Sequence, residues 1–263
     1  MLVDLLSKQA FFAGVVLLFI SSATVTARWC NSMSAMGGMP MRGGWTMSMA
    51  WMRMPGQTWI EAAGSFLIMW LVMMAAMMLP SLAPILWRYC QSVRRMRETP
   101  VARLTLLVGI GYFFVWTLLG LAVYPMGVAI AGIEMEQPIL AHAVPLETGI
   151  IVLIAGALQL TRWKAYHLSC CRETPELSPA LTAHAGAAWK LGLHFGLHCG
   201  LSCANLTVIL LVLGMMDFRV MAATTAAITA ERLAPGGVLV ARFVGAVFIG
   251  TGLFLIVRAA WLQ

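Results

Sequence analysis

Charge is scarce in this sequence: Asp, Glu, Lys and Arg together supply 10% of its 263 residues, and only 10 of those side chains are acidic. A soluble domain carries roughly a quarter charged residues, so a wetted globular surface is excluded. Also missing are a P-loop, a nucleophile elbow and a zinc-peptidase helix, and the chain is not expected to be an enzyme. The six cysteines are too scattered for a disulfide framework. Cys30 stands alone, Cys90, Cys170 and Cys171 fall toward the other side, and Cys199 and Cys203 lie inside an apolar run, which points to metal or redox chemistry instead. The net charge of +7 does not signal nucleic acid, because the basic residues punctuate the apolar runs.

What is abundant is apolar surface: 61% of the residues are hydrophobic and the mean hydropathy is +0.87. The lipid bilayer is therefore the expected environment, and the expected fold is an all-α polytopic transmembrane helical bundle in one domain. Apolar stretches near 10–27, 59–87, 104–124, 146–162, 189–215, 218–233 and 238–257 predict about seven spans, with six as the alternative; the last two are crowded by Asp217 and Glu231. With the N-terminus inside, Lys8, Arg88, Arg94, Arg95, Arg97, Arg103, Arg162, Lys164, Arg172, Lys190, Arg232 and Arg242 all fall on the inner side. Arg28, Arg42, Arg53, Arg219 and Arg258 remain outside, which places the C-terminus outside as well. The run Ala10–Ala27 lacks a clean cleavage site and is read as an uncleaved first helix.

Two loops stand out. The outer segment 28–58 is rich in Gly and Pro, and the inner segment 162–189 carries Pro175 and Pro179. The outer loop holds Met33, Met36, Met39, Met41, Met47, Met49, Met52 and Met54 beside Cys30. The tryptophans there, Trp29, Trp45, Trp51 and Trp59, are good interface anchors. Anchoring explains the methionines less well, since Leu or Ile would anchor equally and resist oxidation. Thioethers select Cu(I) without deprotonation, which makes Met36, Met39 and Met41 candidate capture ligands.

The second span repeats Met69, Met73 and Met77 on one face, with Met74 and Met78 as a second pair. Such a stripe alone is more often packing than ligand. Pro80 removes the amide that would bond the Ala76 carbonyl, so a kink or opening is expected beside Met77 and Met78. In the fifth span Gly192, Gly196, Gly200 and Ala204 form a small-residue ridge for close backbone approach. Cys199 and Cys203 lie within that ridge, whereas His194 and His198 project from roughly the opposite face. One helix therefore does not assemble a Cys₂His₂ zinc site. The cysteines lie roughly 14–20 Å along the axis from Lys190, a depth that overlaps that of Met73, Met77 and Met78. A sulfur site between the second and fifth spans is the expectation. Buried free cysteines are also commonly inert packing, and His194 and His198 also have cross-helix bonding as a simpler role.

At the inner mouth of the fourth span His167 and Cys171 stand at i, i+4 and can chelate if the helix continues. The adjacent Cys170 and Cys171 also fit a redox pair or lipidation, and Glu231 is expected to pair with Lys164 or Arg232.

These residues resemble a bacterial family of predicted metal-binding integral membrane proteins, often described as copper chaperones and including a tyrosinase accessory protein. Its Trp, Met, Ala-Met-Met, Pro and second Pro are similar to Trp70, Met73, Ala76, Met77, Met78, Pro80 and Pro84. Its Gln-x-Thr-x-x-Lys and Cys-Arg resemble Gln159, Thr161, Lys164, Cys171 and Arg172. Its Gly-x-x-Cys-x-x-Cys-Cys run resembles Gly196, Cys199, Ser202 and Cys203, and a later Gly-x-Met and Glu match Gly214, Met216 and Glu231. The likeness covers roughly residues 59–236. Ser202 stands where a cysteine is expected, His198 where an aromatic is usual and His167 where a cysteine is common.

The resemblance implies copper handling in a bacterial cytoplasmic membrane, with delivery to a partner copper enzyme. The leading expectation is Cu(I) held by Cys199, Cys203 and Met77, with Met216 passing it on and His167 and Cys171 marking an inner end. The alternatives are a membrane thiol–disulfide oxidoreductase using Cys199/Cys203 or Cys170/Cys171, and a haem-binding or assembly subunit. For the last, His194 and His198 on one helix cannot clamp one iron from both sides.

Overall fold

The structure, a computed structural model, describes residues 2–41, 45–54, 56–94, 101–172 and 184–262. Arg42, Arg95, Arg97, Pro175, Pro179 and the side chain of Met36 lie outside the described residues. The described chain is built from helices: α1 (Leu2–Met36), α2 (Trp59–Arg94), α3 (Val101–Glu136), α4 (Pro138–Leu158), α5 (Arg162–Arg172), α6 (Ala185–Gly214), α7 (Phe218–Leu233) and α8 (Gly237–Leu262). A short ladder pairs β1 (Met39–Pro40) with β2 (Thr46–Met47), and one 3₁₀ turn covers Met49–Trp51.

Six of these helices are long and apolar enough to cross a membrane: α1, α2, α3, α4, α6 and α8. The six-span alternative therefore replaces the seven-span expectation. Residues 218–233 do form a helix, but with 16 residues it is shorter than the others that cross. The contacts fix the helix directions. Phe11 on α1 meets Trp87 on α2, and Trp70 meets Trp116 on α3 while Phe66 meets Tyr124, so both neighbours run antiparallel to α2. α6 runs parallel to α3, and α8 antiparallel to α4. The N-terminal part of α1 and the C-terminal part of α8 consequently lie at opposite ends of the bundle.

Local chemistry sets the ends of these elements. Thr58 and Glu61 form a reciprocal capping box at the start of α2: Glu61 N–H donates to Thr58 Oγ1 and Thr58 N–H to Glu61 Oε2. Asp217 caps α7 by accepting from the Arg219 and Val220 amides. Gly214 closes α6 at a positive φ of 123°, a conformation that L side chains avoid. Pro138 opens α4 directly after α3, in the first-turn position where its missing N–H costs nothing.

Three expectations change here. Residues 28–36 continue α1 as helix, so the outer loop starts only after Met36. α2 runs without interruption through Pro80 and Pro84; it is not opened beside Met77 and Met78, and Ser81 Oγ donates to the Met78 carbonyl. Of the expected inner loop 162–189, Arg162–Arg172 is helix and Ala185–Trp189 begins α6.

α3 and α6 approach closely through their backbones along the predicted small-residue ridge. A Cβ added at Gly192 would meet the Val108 carbonyl, and one at Gly196 would lie 2.8 Å from the Tyr112 carbonyl oxygen. Neither backbone atom can yield. Gly192→Val should therefore destabilise the protein in detergent by about 1–3 kcal/mol. Gly250→Ala, where nothing lies within 4 Å of the new methyl, should be neutral or stabilising. Thermal unfolding of the two variants beside the parent checks this.

Candidate metal centre

α4 and α5 form one broken traverse. The α-helix ends at Leu158 and tightens into i→i+3 turns through Thr161, whose Oγ1 accepts from the Lys164 amide at 3.3 Å as the next helix starts. α5 then runs antiparallel alongside α6: Lys164 lies level with Ser202 and His167 level with His198. Lys164, His167 and Cys171 thus belong to the protein interior and not to a loop at its mouth, with exposures of 1%, 9% and 3%.

The break brings charge into the core. Lys164 Nζ forms an ion pair with Glu231 Oε2 at 2.7 Å, both side chains 1% exposed, and donates to the Ser202 carbonyl at 2.5 Å. Gln159 Nε2 donates to Glu231 Oε1 at 2.7 Å. Arg172 pins the end of α5 to the turn after α7 through the carbonyls of Glu231 and Ala234. Of the two cations expected for Glu231, Lys164 is the partner. Arg232 points elsewhere, donating to Ser81 Oγ at 3.0 Å and to Cys171 Sγ at 3.7 Å.

Directly beside this pair lies a sulfur cluster contributed by α2, α5 and α6. Cys199 Sγ is 3.8 Å from Met78 Sδ and 2.8 Å from the Tyr112 hydroxyl. Cys203 lies one helical turn on, its Sγ 3.8 Å from Ser202 Oγ. Cys171 of α5 meets the guanidinium of Arg232, Nη2 to Sγ 3.7 Å. Cys199, Cys203, Met78 and Tyr112 are all at or below 1% exposure, so the cluster is dry. Met73 and Met77 are equally buried on α2, but Met78 is the methionine that reaches a cysteine among the described contacts. The expected separation of an inner His/Cys pair from the cysteines of α6 is corrected: Cys171 joins the deeper cluster, while His167 turns to His198.

The histidines form a cluster of their own. His167 Nδ1 and His198 Nδ1 are 3.0 Å apart, a cross-helix bond in which one imidazole donates and the other accepts. The His194 ring stands 4.3 Å from the His198 ring and is exposed. His167 and Cys171 share no common target despite their spacing. Among the described residues no three His, Cys, Asp or Glu side chains converge as a ready metal shell. A soft site here therefore needs thioether as well as thiolate.

At the end of the bundle where α1 finishes, a pocket of about 410 Å³ is lined by Met33, Met52, Met54 and Met69, with Trp29 and Gln57 among its other walls. Met39, at 38% exposure, and Met41 lie on and beside the β ladder, outside this pocket. Met216 is half-buried at the α6–α7 turn, against the core.

Tyr112, Arg232 and the Ser202 hydroxyl were not singled out as site groups in the sequence. Tyr112 and Arg232 carried a signal, being polar groups in or beside an apolar span, where such groups mark function.

The family described as PpoB2, copper chaperone, matches residues 67–255, which include every helix that contributes to the sulfur cluster. The chain belongs to this copper chaperone family. No curated protein and no solved structure matches it. In this PpoB2-type chain Cys199, Cys203 and Met78 supply thiol and thioether sulfur, the ligand types that soft Cu(I) prefers.

The ion pair beside the cluster has a measurable consequence. Lys164→Met or Glu231→Gln alone leaves a charge buried without its partner and should cost about 3–5 kcal/mol. The double variant should recover most of that loss, and a double-mutant cycle by thermal unfolding measures the coupling.

Proposed function

We propose that the protein is a non-catalytic Cu(I) carrier of a bacterial cytoplasmic membrane that accepts the ion at one face and delivers it to a partner copper enzyme. The observation that carries this reading is the approach of Met78 Sδ to Cys199 Sγ at 3.8 Å, with Cys203 one turn further along the same dry helix face. Two thiolates and a thioether make a trigonal sulfur environment suited to Cu(I) and unsuited to hard ions. The charge distribution favours an N-terminus inside and a C-terminus outside. On that orientation the Met33–Met52–Met54–Met69 pocket faces the outer, oxidising compartment, where thioethers cannot be lost to disulfides.

The ligand sets differ in strength. Thioethers at the pocket bind weakly and exchange quickly, whereas thiolates in the core hold the ion firmly. Met73 and Met77 sit on α2 between Met69 of the pocket and Met78 of the core, a spacing suited to handover from sulfur to sulfur. Met216, half-buried, and Met39 and Met41 beyond the pocket rim serve in this reading as peripheral contacts, and Met36 is assigned to the same outer group by its place in the sequence. A thiol–disulfide oxidoreductase fits less well, because Cys199 and Cys203 are each 1% exposed and offer no approach for a substrate disulfide.

Cys199→Ser/Cys203→Ser protein should bind less copper than the parent by one equivalent, and X-ray absorption of the parent should show sulfur neighbours. Equal copper in both proteins would sink the central site. Met78→Leu, which keeps the volume and removes the sulfur, should weaken Cu(I) binding about tenfold in competition with a colorimetric Cu(I) chelator. Replacing Met33, Met52, Met54 and Met69 together by Leu should slow copper loading while leaving the final affinity unchanged, as stopped-flow loading would show.

A further inference from the structure

Arg232 is an unusual residue for this place. It is 7% exposed, lies at the C-terminal end of α7, and no carboxylate lies within salt-bridge distance of it among the described residues. Glu231, its neighbour in sequence, is occupied by Lys164 and Gln159. The guanidinium has one neutral hydroxyl, Ser81 Oγ at 3.0 Å, and one thiol, Cys171 Sγ at 3.7 Å. Its Nε–H is buried without a partner among the described residues. Ser81 in turn donates to the carbonyl of Met78, whose sulfur meets Cys199, so the guanidinium stands beside the sulfur cluster with a hydroxyl and a thiol as its contacts. A cation held in a dry core by neutral groups alone is incompletely compensated, and the missing element is an anion.

A monovalent metal ion held by two thiolates is such an anion. The two cysteines contribute two negative charges, the Cu(I) ion one positive charge, and the unit carries a net single negative charge. The Lys164–Glu231 pair is internally neutral. Adding Arg232 brings the whole buried cluster to zero. The same two thiolates around a divalent ion form a neutral unit, which leaves the Arg232 charge uncompensated in a medium of low dielectric constant.

We propose that Arg232 is the counter-cation of the bound dithiolate unit and sets the selectivity of the site for a monovalent soft ion over divalent ones such as Zn(II). This rests on the sulfur site proposed above and deepens it by naming the residue that discriminates by charge. Sulfur ligation alone does not discriminate in this way, because thiolates bind Zn(II) well. Arg232 touches none of the proposed ligands' metal-facing positions by covalent or coordinate bond; it is a specificity-determining residue that acts through the field it imposes on the cluster.

The test uses the full chain in detergent micelles, with Cu(I) titrated against bicinchoninate and Zn(II) against a chromogenic zinc chelator. Arg232→Gln should lose on the order of 10- to 100-fold in Cu(I) affinity while Zn(II) affinity holds or rises, so that the Cu(I)/Zn(II) preference collapses. Arg232→Lys, which keeps the charge, should retain the preference within a few-fold. Cys171→Asp offers an independent route should Arg232→Gln fail to fold: a carboxylate there neutralises Arg232 in place and should collapse the preference in the same way, whereas Cys171→Ser should not. An unchanged preference in Arg232→Gln or in Cys171→Asp overturns the proposal. Parent-like Cu(I) affinity in Cys199→Ser/Cys203→Ser protein would instead overturn the sulfur site itself, so the two failures are separable.

Discussion

The ion pair between Lys164 and Glu231 is the contact on which the arrangement of the interior depends. Charges inside an apolar bundle are costly unless they are paired and hydrogen-bonded. Meeting that requirement pulls three helices together. Lys164 binds Glu231 of α7 and the Ser202 carbonyl of α6, and Gln159 completes the carboxylate from the break between α4 and α5. With Lys164 held in this way, α5 runs antiparallel against α6, carrying His167 onto His198 and bringing Cys171 to the guanidinium of Arg232. With Glu231 held, the next residue of α7 turns its guanidinium to Ser81 and Cys171. The sulfur cluster and its cation are thus consequences of one buried salt bridge.

A second constraint comes from the other side of α6. The glycines that let α3 approach also leave little room between the backbones, and Tyr112 fills the space opposite Cys199 with its hydroxyl 2.8 Å from the sulfur. The thiol is held by neighbours on α2, α3 and α6 at once. Such a pocket is close-packed before any ion enters it. For the proposed site, an ion of small coordination number fits such packing better than one that demands four ligands or retained water.

The helices that span were legible in the sequence, because a run of some twenty apolar residues has few other fates in water or lipid. The small-residue ridge of α6 was legible for the same kind of reason: Gly192, Gly196 and Gly200 recur at helical spacing, and only close backbone approach uses them all. The helical phase also separated Cys199 and Cys203 from His194, and the overlapping depths pointed α2 toward α6, although Met78 emerged as the contact by side-chain direction, which spacing does not give. The fate of α5 was not legible. Residues 162–172 read as polar and basic, and polarity near a span end normally means a loop. The reading fails because the polar groups here satisfy one another inside the bundle. The continuation of α1 through Met36 was obscured in the same way, since Gly37 and Gly38 lie close behind and the composition changes gradually. Among the outer methionines, sequence density gave no means of telling Met33, Met52 and Met54, which line the pocket, from Met39, which does not.

Charge balance also bears on how an ion would leave. In the proposed loaded state the dithiolate unit and Arg232 neutralise each other, so the cluster is electrically quiet and release into a bare apolar path is unfavourable. Release becomes feasible only where another soft ligand replaces the thiolates before the ion departs, because the ion then never crosses the interior uncoordinated. Methionines suit that task, being neutral: an ion passed from thiolate to thioether leaves the two cysteines to recover protons, and Arg232 returns to its undercompensated state. That state is the one most ready to accept the next ion. On the proposed reading, a strong central site with weak neutral sites around it gains its readiness to reload from the same buried cation that would make the loaded form selective.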